Sequence, residues 1–211
     1  MNTIDFSQSL TALAPLAGYT DLPFRTVCKK FGVDVTFSEM ISANALAYNS
    51  KKTFHMLEKS PDETPYIVQI AGSDIGNIIK AVEILNDIEG IDGIDLNCGC
   101  PVPKVVAQDA GSSLLKDLPH LARIIEAIKK HSNKRYTSAK VRIGFVEKIP
   151  ETIARAVENA GADFMSIHGR TRAGGYKAEV DYDAIKRARA AVQIPIFANG
   201  GITTYEKALE V

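Results

Sequence analysis

Short apolar runs alternate with amphipathic stretches along the sequence. Each run is bounded by polar, glycine or proline positions and is too short for a helix, which predicts a buried β-strand. The predicted strands are Ala12–Leu16, Val35–Ser38, Tyr66–Ala71, Gly93–Asn97, Ser138–Ile143, Asp163–His168 and Pro195–Asn199. Because the stretches between them have the length and polarity of surface helices, the pattern is typical of a parallel sheet covered by helices.

The intervening stretches carry apolar residues at helical spacing. One helical face runs from Ile75 to Leu85. Asp21 precedes a Leu-Pro pair and is predicted to cap the first helix, and Thr203 with Glu206 has the spacing of a capping box. A second helical face is predicted from Leu114, Leu118, Leu121, Ile125 and Ile128.

Seven β/α units favour a (β/α)8 TIM barrel over an open dinucleotide-binding sheet. The chain has no Gly-x-Gly-x-x-Gly turn after a strand, which the open sheet would require. A closed barrel takes about 250 residues. We therefore expect residues 1–211 to be one catalytic domain, and a C-terminally truncated fragment that lacks the eighth strand.

Composition limits the classes of function. The 211 residues are 45% hydrophobic, and Lys plus Arg and Asp plus Glu each number 25, so any RNA binding must come from local patches. The first ten residues do not have the pattern of a signal peptide, and no apolar run approaches the roughly 20 residues of a membrane span, so we expect a cytoplasmic protein. Three cysteines without a signal peptide predict free thiols.

Polar residues recur at the C-terminal ends of the predicted strands, where barrels of this kind place their active sites. In the fifth strand, alternation puts Lys140 and Arg142 on one face and aliphatic side chains on the other. Buried cations need an anionic partner or a ligand. One interpretation is that Lys140 and Arg142 bind a ligand. The alternative is an internal salt bridge to Asp95 or Glu39.

A cysteine-containing loop follows the fourth strand, with the sequence Asn97-Cys98-Gly99-Cys100-Pro101. A zinc site is a weak interpretation because the chain has no second cysteine pair, so no metal is expected. A structural, buried thiol fits Cys28 better than Cys100. A thiol is mostly protonated at neutral pH and can donate a proton to a developing carbanion, which makes Cys100 a candidate general acid.

Two further candidates stand after later strands. His168 ends a strand and precedes two arginines, which favours a ligand contact over a structural role. Asn199-Gly200-Gly201 precedes a capped helix and offers backbone N–H groups to a phosphate. Many sugar-phosphate barrels carry a similar turn, so this motif by itself is nonspecific.

These motifs together resemble one family, the tRNA-dihydrouridine synthases. The matching segments are Ala14-Pro15-Leu16-Ala17-Gly18, Thr20-Asp21-Leu22-Pro23-Phe24-Arg25, Asp95-Leu96-Asn97-Cys98-Gly99-Cys100-Pro101, Gly111-Ser112-Ser113-Leu114-Leu115, Lys140-Val141-Arg142 and His168-Gly169-Arg170-Thr171. They occur in the family's order and cover essentially the whole chain. The run His-Gly-Arg-Thr-Arg favours the bacterial B branch.

The resemblance implies a role for each matching residue. The cofactor FMN would be contacted through its ring by Pro15, Leu16, Ala17, Gln69, Lys140 and His168, and through its phosphate by Asn199, Gly200 and Gly201. Cys100 would be the catalytic proton donor. The target nucleotide would be contacted by Asn97, Arg142 and Arg170.

The resemblance also implies the reaction and the partners. NADPH, or NADH, would reduce FMN, hydride would pass to C6 of a uracil in tRNA, and Cys100 would protonate C5. We expect tRNA as partner, no membrane, and a monomer. In the family a last strand and a helical tRNA-binding domain follow the part present here. Gly201 stands where aspartate is common and Leu16 where methionine is frequent, which puts the subfamily in question but not the activity.

Three other interpretations remain open. A dihydroorotate-dehydrogenase-like FMN barrel would act on a free pyrimidine, although the Gly-Cys-Pro and His-Gly-Arg-Thr motifs favour tRNA. A sugar-phosphate isomerase barrel rests on Asn199-Gly200-Gly201 alone and would be colourless. A non-catalytic RNA-binding barrel would have lost the reaction, and intact Asn97, Cys100, Lys140 and His168 argue against it.

Overall fold

The computed structural model of the chain describes residues 3–211, except for the side chain of Lys52. Its strands are β1 Ala12–Leu13, β2 Val35–Phe37, β3 Ile41–Ser42, β4 Tyr66–Ala71, β5 Gly93–Cys98, β6 Tyr136–Arg142, β7 Phe164–His168 and β8 Ile196–Asn199. Its α-helices are α1 Leu22–Lys30, α2 Ala43–Ala47, α3 Lys51–His55, α4 Ile75–Asn86, α5 Pro103–Val106, α6 Leu118–His131, α7 Pro150–Asn159, α8 Tyr182–Ala190 and α9 Tyr205–Glu210. A 3₁₀ segment covers Gly111–Lys116.

The chain forms two compact units. The first contains the described residues up to Leu96 together with Ala127–Thr137, and the second contains Asn97–Glu126 and Ser138–Val211. In the first unit β1, β2, β4 and β5 pair in parallel in that order, and β3 also pairs with β4. In the second unit β6, β7 and β8 pair in parallel. Parallel strands that alternate with helices confirm the predicted fold class, an incomplete (β/α)8 barrel.

Strands β2, β4, β5 and β7 are buried on both faces, as their aliphatic composition predicts, whereas β1 and β8 are half-buried. Every residue of β4 and β5 is buried, and the same holds for β7. Helices α4, α7 and α8 each bury one apolar stripe. In α4 the buried residues are Ile78, Ala81, Val82 and Leu85, which lie on one helical face.

A buried ion pair holds the first unit together at the start of α1. Arg25 Nε lies 2.7 Å from Glu63 Oε1, with side-chain exposures of 1% and 0%. Arg25 also donates to the carbonyls of Thr20 and Glu58, so most of its guanidinium is satisfied. Its guanidinium carbon lies 5.0 Å from the ring centre of Tyr66, whose pKa burial raises to about 12.

The structure differs from the sequence predictions at a few boundaries. Strand β1 ends at Leu13 instead of Leu16, because Pro15 has no N–H to continue a ladder. The two-residue strand β3 was not predicted, since it is too short to show alternation. Leu114 belongs to the 3₁₀ segment and not to α6, because Asp117 leaves the helical conformation and its carboxylate accepts from the His120 N–H at the start of α6.

The capping predictions have a mixed outcome. Asp21 does cap α1, because its carboxylate accepts from the Phe24 N–H at 3.1 Å. The prediction for Thr203 is wrong, since the N-cap of α9 is Thr204, whose hydroxyl accepts from the Lys207 N–H at 3.1 Å. In residues 3–211 the structure contains no helix of the length and apolar character that crossing a bilayer requires.

Candidate active site

The loop after β5 presents Cys100 on a fixed backbone. Asn97 Oδ1 accepts hydrogen bonds from the N–H groups of Gly99, at 3.1 Å, and Cys100, at 2.9 Å. A short carboxamide that bonds the backbone two and three residues ahead forms a tight turn. Cys28, Cys98 and Cys100 are free thiols, as predicted, and Cys98 is buried while Cys100 is half-buried.

The 3₁₀ segment closes against this loop. Ser112 N–H donates to the Cys100 carbonyl at 3.0 Å. Gly111 has a φ of +60°, and a Cβ at this position would lie 2.9 Å from the Cys100 carbonyl oxygen and 3.1 Å from its Cβ. Only glycine allows both the left-handed conformation and this close approach.

The register of the second unit aligns three more predicted residues. Arg142 on β6 lies beside His168 on β7, and His168 lies beside Asn199 on β8. Lys140, two residues before Arg142, faces the same side of the strand. Its ammonium donates to Asn199 Oδ1 at 2.9 Å. The predicted cofactor contacts Lys140, His168 and Asn199 therefore meet at the C-terminal ends of adjacent strands.

Arg142 links this group to the cysteine loop. Its Nε donates to the Gly99 carbonyl at 2.7 Å, and its Nη1 donates to the Thr171 carbonyl at 3.3 Å. Its side chain is buried, and burial lowers the pKa of Arg142, while attraction to Cys100 and Tyr176 acts in the opposite direction. Arg142 thus fixes the loops after β5 and β7 in addition to any contact with a nucleotide.

His168 is held as a neutral imidazole. Burial lowers its pKa to about 3, and the charges of Lys140, Arg142 and Arg170 add to the effect. Arg170 Nη1 lies 3.4 Å from His168 Nε2, and the Arg170 Nε donates to the Ala178 carbonyl. A neutral imidazole offers one hydrogen-bond donor and one acceptor. His168 can therefore bind a polar ligand edge without adding charge.

The turn after β8 leaves no room for side chains. Gly200 and Gly201 have φ values of +111° and +67°. A Cβ on Gly200 would lie 2.5 Å from His168 Cδ2, and one on Gly201 would lie 3.2 Å from the Tyr182 hydroxyl. That hydroxyl donates to the Gly200 carbonyl at 2.8 Å, which fixes the turn.

The remaining predicted contacts belong to the first unit. Gln69 is buried on β4, and its side-chain amide donates to Asp95 Oδ2 at 2.8 Å. Pro15 is half-buried, and Leu16 and Ala17 are exposed. Gly18 N–H donates to Glu39 Oε1 at 2.5 Å, which anchors the loop after β1. Exposed apolar atoms in an anchored loop are compatible with the predicted packing against a flat ring.

The sequence offered no signal for one residue of the site. Tyr176 lies in the loop after β7, its ring centre is 6.4 Å from that of His168, and it is 72% exposed. A loop aromatic has no periodicity from which its position could be inferred. Within residues 3–211, no cluster of three or more His, Cys, Asp or Glu side chains has the arrangement of a metal site.

Comparison with known proteins identifies the family. The sequence model of the family described as Dihydrouridine synthase (Dus) matches residues 12–211. A probable tRNA-dihydrouridine synthase of Helicobacter pylori (strain J99) is 52% identical over 94% of this chain and 61% of its own length. A tRNA-dihydrouridine synthase B of Pseudomonas putida is 40% identical over 94% of this chain and 59% of its own length.

A third relative, a probable tRNA-dihydrouridine synthase of Rickettsia bellii, is 37% identical over 100% of this chain and 64% of its own length. The chain thus spans about three-fifths of the length of the curated relatives that it matches. The family match covers the cysteine loop, β6, β7 and the turn after β8, which are the elements that carry the site. The chain belongs to the dihydrouridine synthase family.

Proposed function

We propose that this chain is the FMN-binding catalytic part of a tRNA-dihydrouridine synthase. The enzyme would be an oxidoreductase that reduces the C5=C6 bond of a uridine in tRNA, with NADPH, or NADH, as electron source. Family membership and the names of the relatives support the reaction class. The observation that carries the proposal is that Arg142 connects the Cys100 loop to the cluster of Lys140, His168 and Asn199.

The residues present fit a flavin. A neutral imidazole on His168, an ammonium on Lys140 and a carboxamide on Asn199 supply the donors and acceptors that the polar edge of a flavin ring needs. The positive-φ turn at Gly200 and Gly201 presents backbone where a phosphate can approach. Pro15, Leu16, Ala17 and Gln69 are proposed as further ring contacts.

The protein's chemical contribution is a proton at a fixed position. A bound flavin would supply the hydride that adds to C6 of the uracil. The Cys100 thiol donates its proton to C5, which completes the reduction of the double bond, and the thiolate regains a proton from solvent. The nearby Arg142 guanidinium attracts that thiolate, and it therefore stabilises the charge that remains after proton transfer.

The substrate base must leave its stack to reach this site. Enzymes that act on a base inside folded nucleic acid flip it out, at a cost of a few kcal/mol. Asn97, Arg142 and Arg170 are proposed to contact the flipped nucleotide or its neighbours. Asn97 and Arg142 are already held by backbone contacts of the cysteine loop, so they need little reorganisation on binding.

The test is a Cys100→Ala variant of the full chain with Cys28→Ala as control. We expect Cys100→Ala to keep the yellow flavin absorbance and to lower dihydrouridine formation about 100-fold or more, since general acids contribute factors of this order. Cys28→Ala should behave as wild type, because Cys28 lies on α1 in the first unit, whereas the Cys100 loop belongs to the second.

Two results would contradict the proposal. Normal turnover of Cys100→Ala would remove the thiol from the mechanism. A colourless wild-type protein that forms no dihydrouridine in tRNA, measured by nucleoside analysis, would overturn the proposed function as a whole. Reduction of a free pyrimidine but not of tRNA would favour the dihydroorotate-dehydrogenase-like alternative.

A further inference from the structure

Two cations share one aromatic ring in the second unit. Lys116 Nζ lies 4.4 Å from the ring centre of Phe145, and the Arg172 guanidinium carbon lies 5.1 Å from the same centre. We refer to Lys116, Phe145 and Arg172 as the Phe145 cluster. Lys116 is exposed, and Phe145 and Arg172 are half-buried, so both charges can be reached from solvent.

Within the described residues, no carboxylate neutralises these two charges. In the part of the chain that the structure describes, neither cation lies within 4.0 Å of a carboxylate oxygen. Asp117, the neighbour of Lys116, directs its carboxylate to the His120 N–H at 3.0 Å. Like charges gathered on one ring repel each other unless an anion lies near them. The cluster is therefore suited to an anionic partner.

Backbone hydrogen bonds fix the positions of these side chains. Arg172 N–H donates to the Gly144 carbonyl at 2.9 Å, and Ala173 N–H donates to the Phe145 carbonyl at 2.8 Å. Lys116 is the last residue of the 3₁₀ segment. The loops after β6 and β7 are thus joined directly, and the face of Phe145 holds both cations in place.

The cluster is connected to the proposed active site through short paths. The 3₁₀ segment that ends at Lys116 donates through Ser112 N–H to the Cys100 carbonyl at 3.0 Å. Arg142 donates both to the Gly99 carbonyl and to the carbonyl of Thr171, the residue before Arg172. A ligand that contacts Lys116 and Arg172 would therefore bind close to the segment that holds Cys100.

We propose that the Phe145 cluster binds a backbone phosphate of the RNA substrate. This inference rests on the proposed function, and it adds a phosphate-binding surface that positions the target nucleotide at Cys100. A phosphodiester is the anion that fits, because RNA presents one such charge at every nucleotide next to the reacting base. The chain has 25 basic and 25 acidic residues, so attraction to RNA depends on local groups of this kind.

The experiment compares tRNA binding by the full chain and three double variants. Lys116→Ala/Arg172→Ala removes both cations of the cluster. Lys186→Ala/Arg187→Ala removes the same two residue types from the exposed face of α8 and is the matched control. Lys116→Arg/Arg172→Lys keeps both charges. The measurements are the Kd for unmodified tRNA at several salt concentrations and the steady-state constants for dihydrouridine formation.

We expect the double alanine variant to bind tRNA about tenfold more weakly, with the slope of log K against log salt smaller in magnitude by about 1, because the loss of one phosphate contact removes about one unit. Its KM for tRNA should rise while kcat at saturating tRNA stays unchanged, since the lost contact is made equally in ground and transition states. The control and the charge-conserving variant should keep both the wild-type Kd and the wild-type salt slope.

An unchanged salt slope in the double alanine variant, or an equal loss in the α8 control, would overturn the assignment and leave the proposed function intact. Wild-type protein that neither binds tRNA nor forms dihydrouridine would overturn both. These outcomes separate the phosphate contact from the chemistry, because Lys116 and Arg172 are not among the residues proposed to contact the reacting base or the flavin.

Discussion

At the residue scale, the site depends on ionisable groups whose surroundings set their charge. His168 is neutral because it is buried beside three cations. The buried guanidinium of Arg142 is stabilised because two backbone carbonyls accept its hydrogen bonds. The buried guanidinium of Arg25 differs, because it pairs directly with a carboxylate. Each arrangement has a measurable consequence for the free energy of unfolding.

His168 should make the protein less stable in acid. Its pKa is about 3 in the folded protein and near 6.5 when exposed, so between these values only the unfolded chain binds the proton. The free energy of unfolding therefore falls as the pH drops from 6.5 toward 3, by about 2 kcal/mol at pH 5. Urea unfolding of wild type and His168→Gln between pH 5 and 8 measures this contribution.

His168→Gln should lack this part of the pH dependence, because a glutamine does not titrate. The control His55→Gln should retain it, since the His55 side chain is 80% exposed and its ring nitrogen lies 2.9 Å from the exposed carboxylate of Glu58. An identical pH slope in wild type and His168→Gln would show that His168 ionises in the folded protein as it does in the unfolded chain.

The pair of Arg25 and Glu63 should be costly to break. Glu63→Gln leaves the buried Arg25 guanidinium without its counter-charge, and we expect a loss of about 3–5 kcal/mol in the free energy of unfolding. The double substitution Arg25→Met/Glu63→Leu should cost less than Glu63→Gln alone, because it leaves no unpaired charge. Denaturant midpoints of the three proteins check the order.

The exposed pair of Arg187 and Glu151 is the control for this prediction, at the same Nε–Oε1 distance of 2.7 Å. Glu151→Gln should give a much smaller change, because solvent screens an exposed pair. Equal losses for Glu63→Gln and Glu151→Gln would mean that burial does not determine the strength of the Arg25 pair.

At the element scale, the position of Cys100 depends on how closely the 3₁₀ segment approaches the cysteine loop. Gly111 makes that approach possible, since any side chain at this position meets the Cys100 carbonyl and the Val105 side chain at 2.9 Å. The same segment carries Lys116 at its other end. One short element thus supports both the proposed proton donor and the proposed phosphate contact.

Gly111→Ala should therefore displace Cys100. We expect a loss of stability of about 1–3 kcal/mol, from the positive φ and the close contact together, and a fall in kcat of at least about tenfold from misplacement of the thiol. Gly175→Ala is the matched control, because Gly175 has a φ of +56° and a Cβ there meets nothing within 4 Å. Thermal unfolding and dihydrouridine formation measure both effects.

The control should lose stability through backbone strain alone and keep its kcat. Turnover of Gly111→Ala at the wild-type rate would show that the cysteine loop does not depend on contact with the 3₁₀ segment. The comparison thereby isolates the contact from the conformational preference, which is the same at both glycines.

At the scale of the whole molecule, the β/α series was predictable because parallel strands are buried on both faces and therefore consist of continuous apolar runs. The strands β4, β5 and β7 were located within one residue of the predicted bounds. The predicted boundaries were wrong where a single residue sets the end of an element, at Pro15 after β1 and at Asp117 before α6. The break between Leu114 and α6 could not be inferred from periodicity, since the 3₁₀ segment keeps its leucines buried as a helix would.

The candidate site was only partly predictable. The strand-end rule identified Lys140, His168 and Asn199, because parallel strands bring their C-terminal ends to the same edge. The same rule identified Arg142 as a ligand contact. In the structure two backbone carbonyls accept its hydrogen bonds, and the contact with a ligand stays a prediction. Tyr176 had no sequence signal because a loop aromatic has no periodicity, and the Phe145 cluster had none because its contacts join loops that are distant in the chain.

The sequence by itself determined the fold class, the strands and the chemical groups at their ends, since these follow from periodicity and from residue type. Only the tertiary structure decided the surroundings of these groups. It determines the neutral state of His168 and the backbone partners of Arg142. It also determines the close approach of Gly111 to Cys100 and the contact of two cations with Phe145. The reason is physical. The charge state of a side chain and its contacts depend on burial and on distances between residues far apart in the chain. Local sequence patterns do not specify these distances.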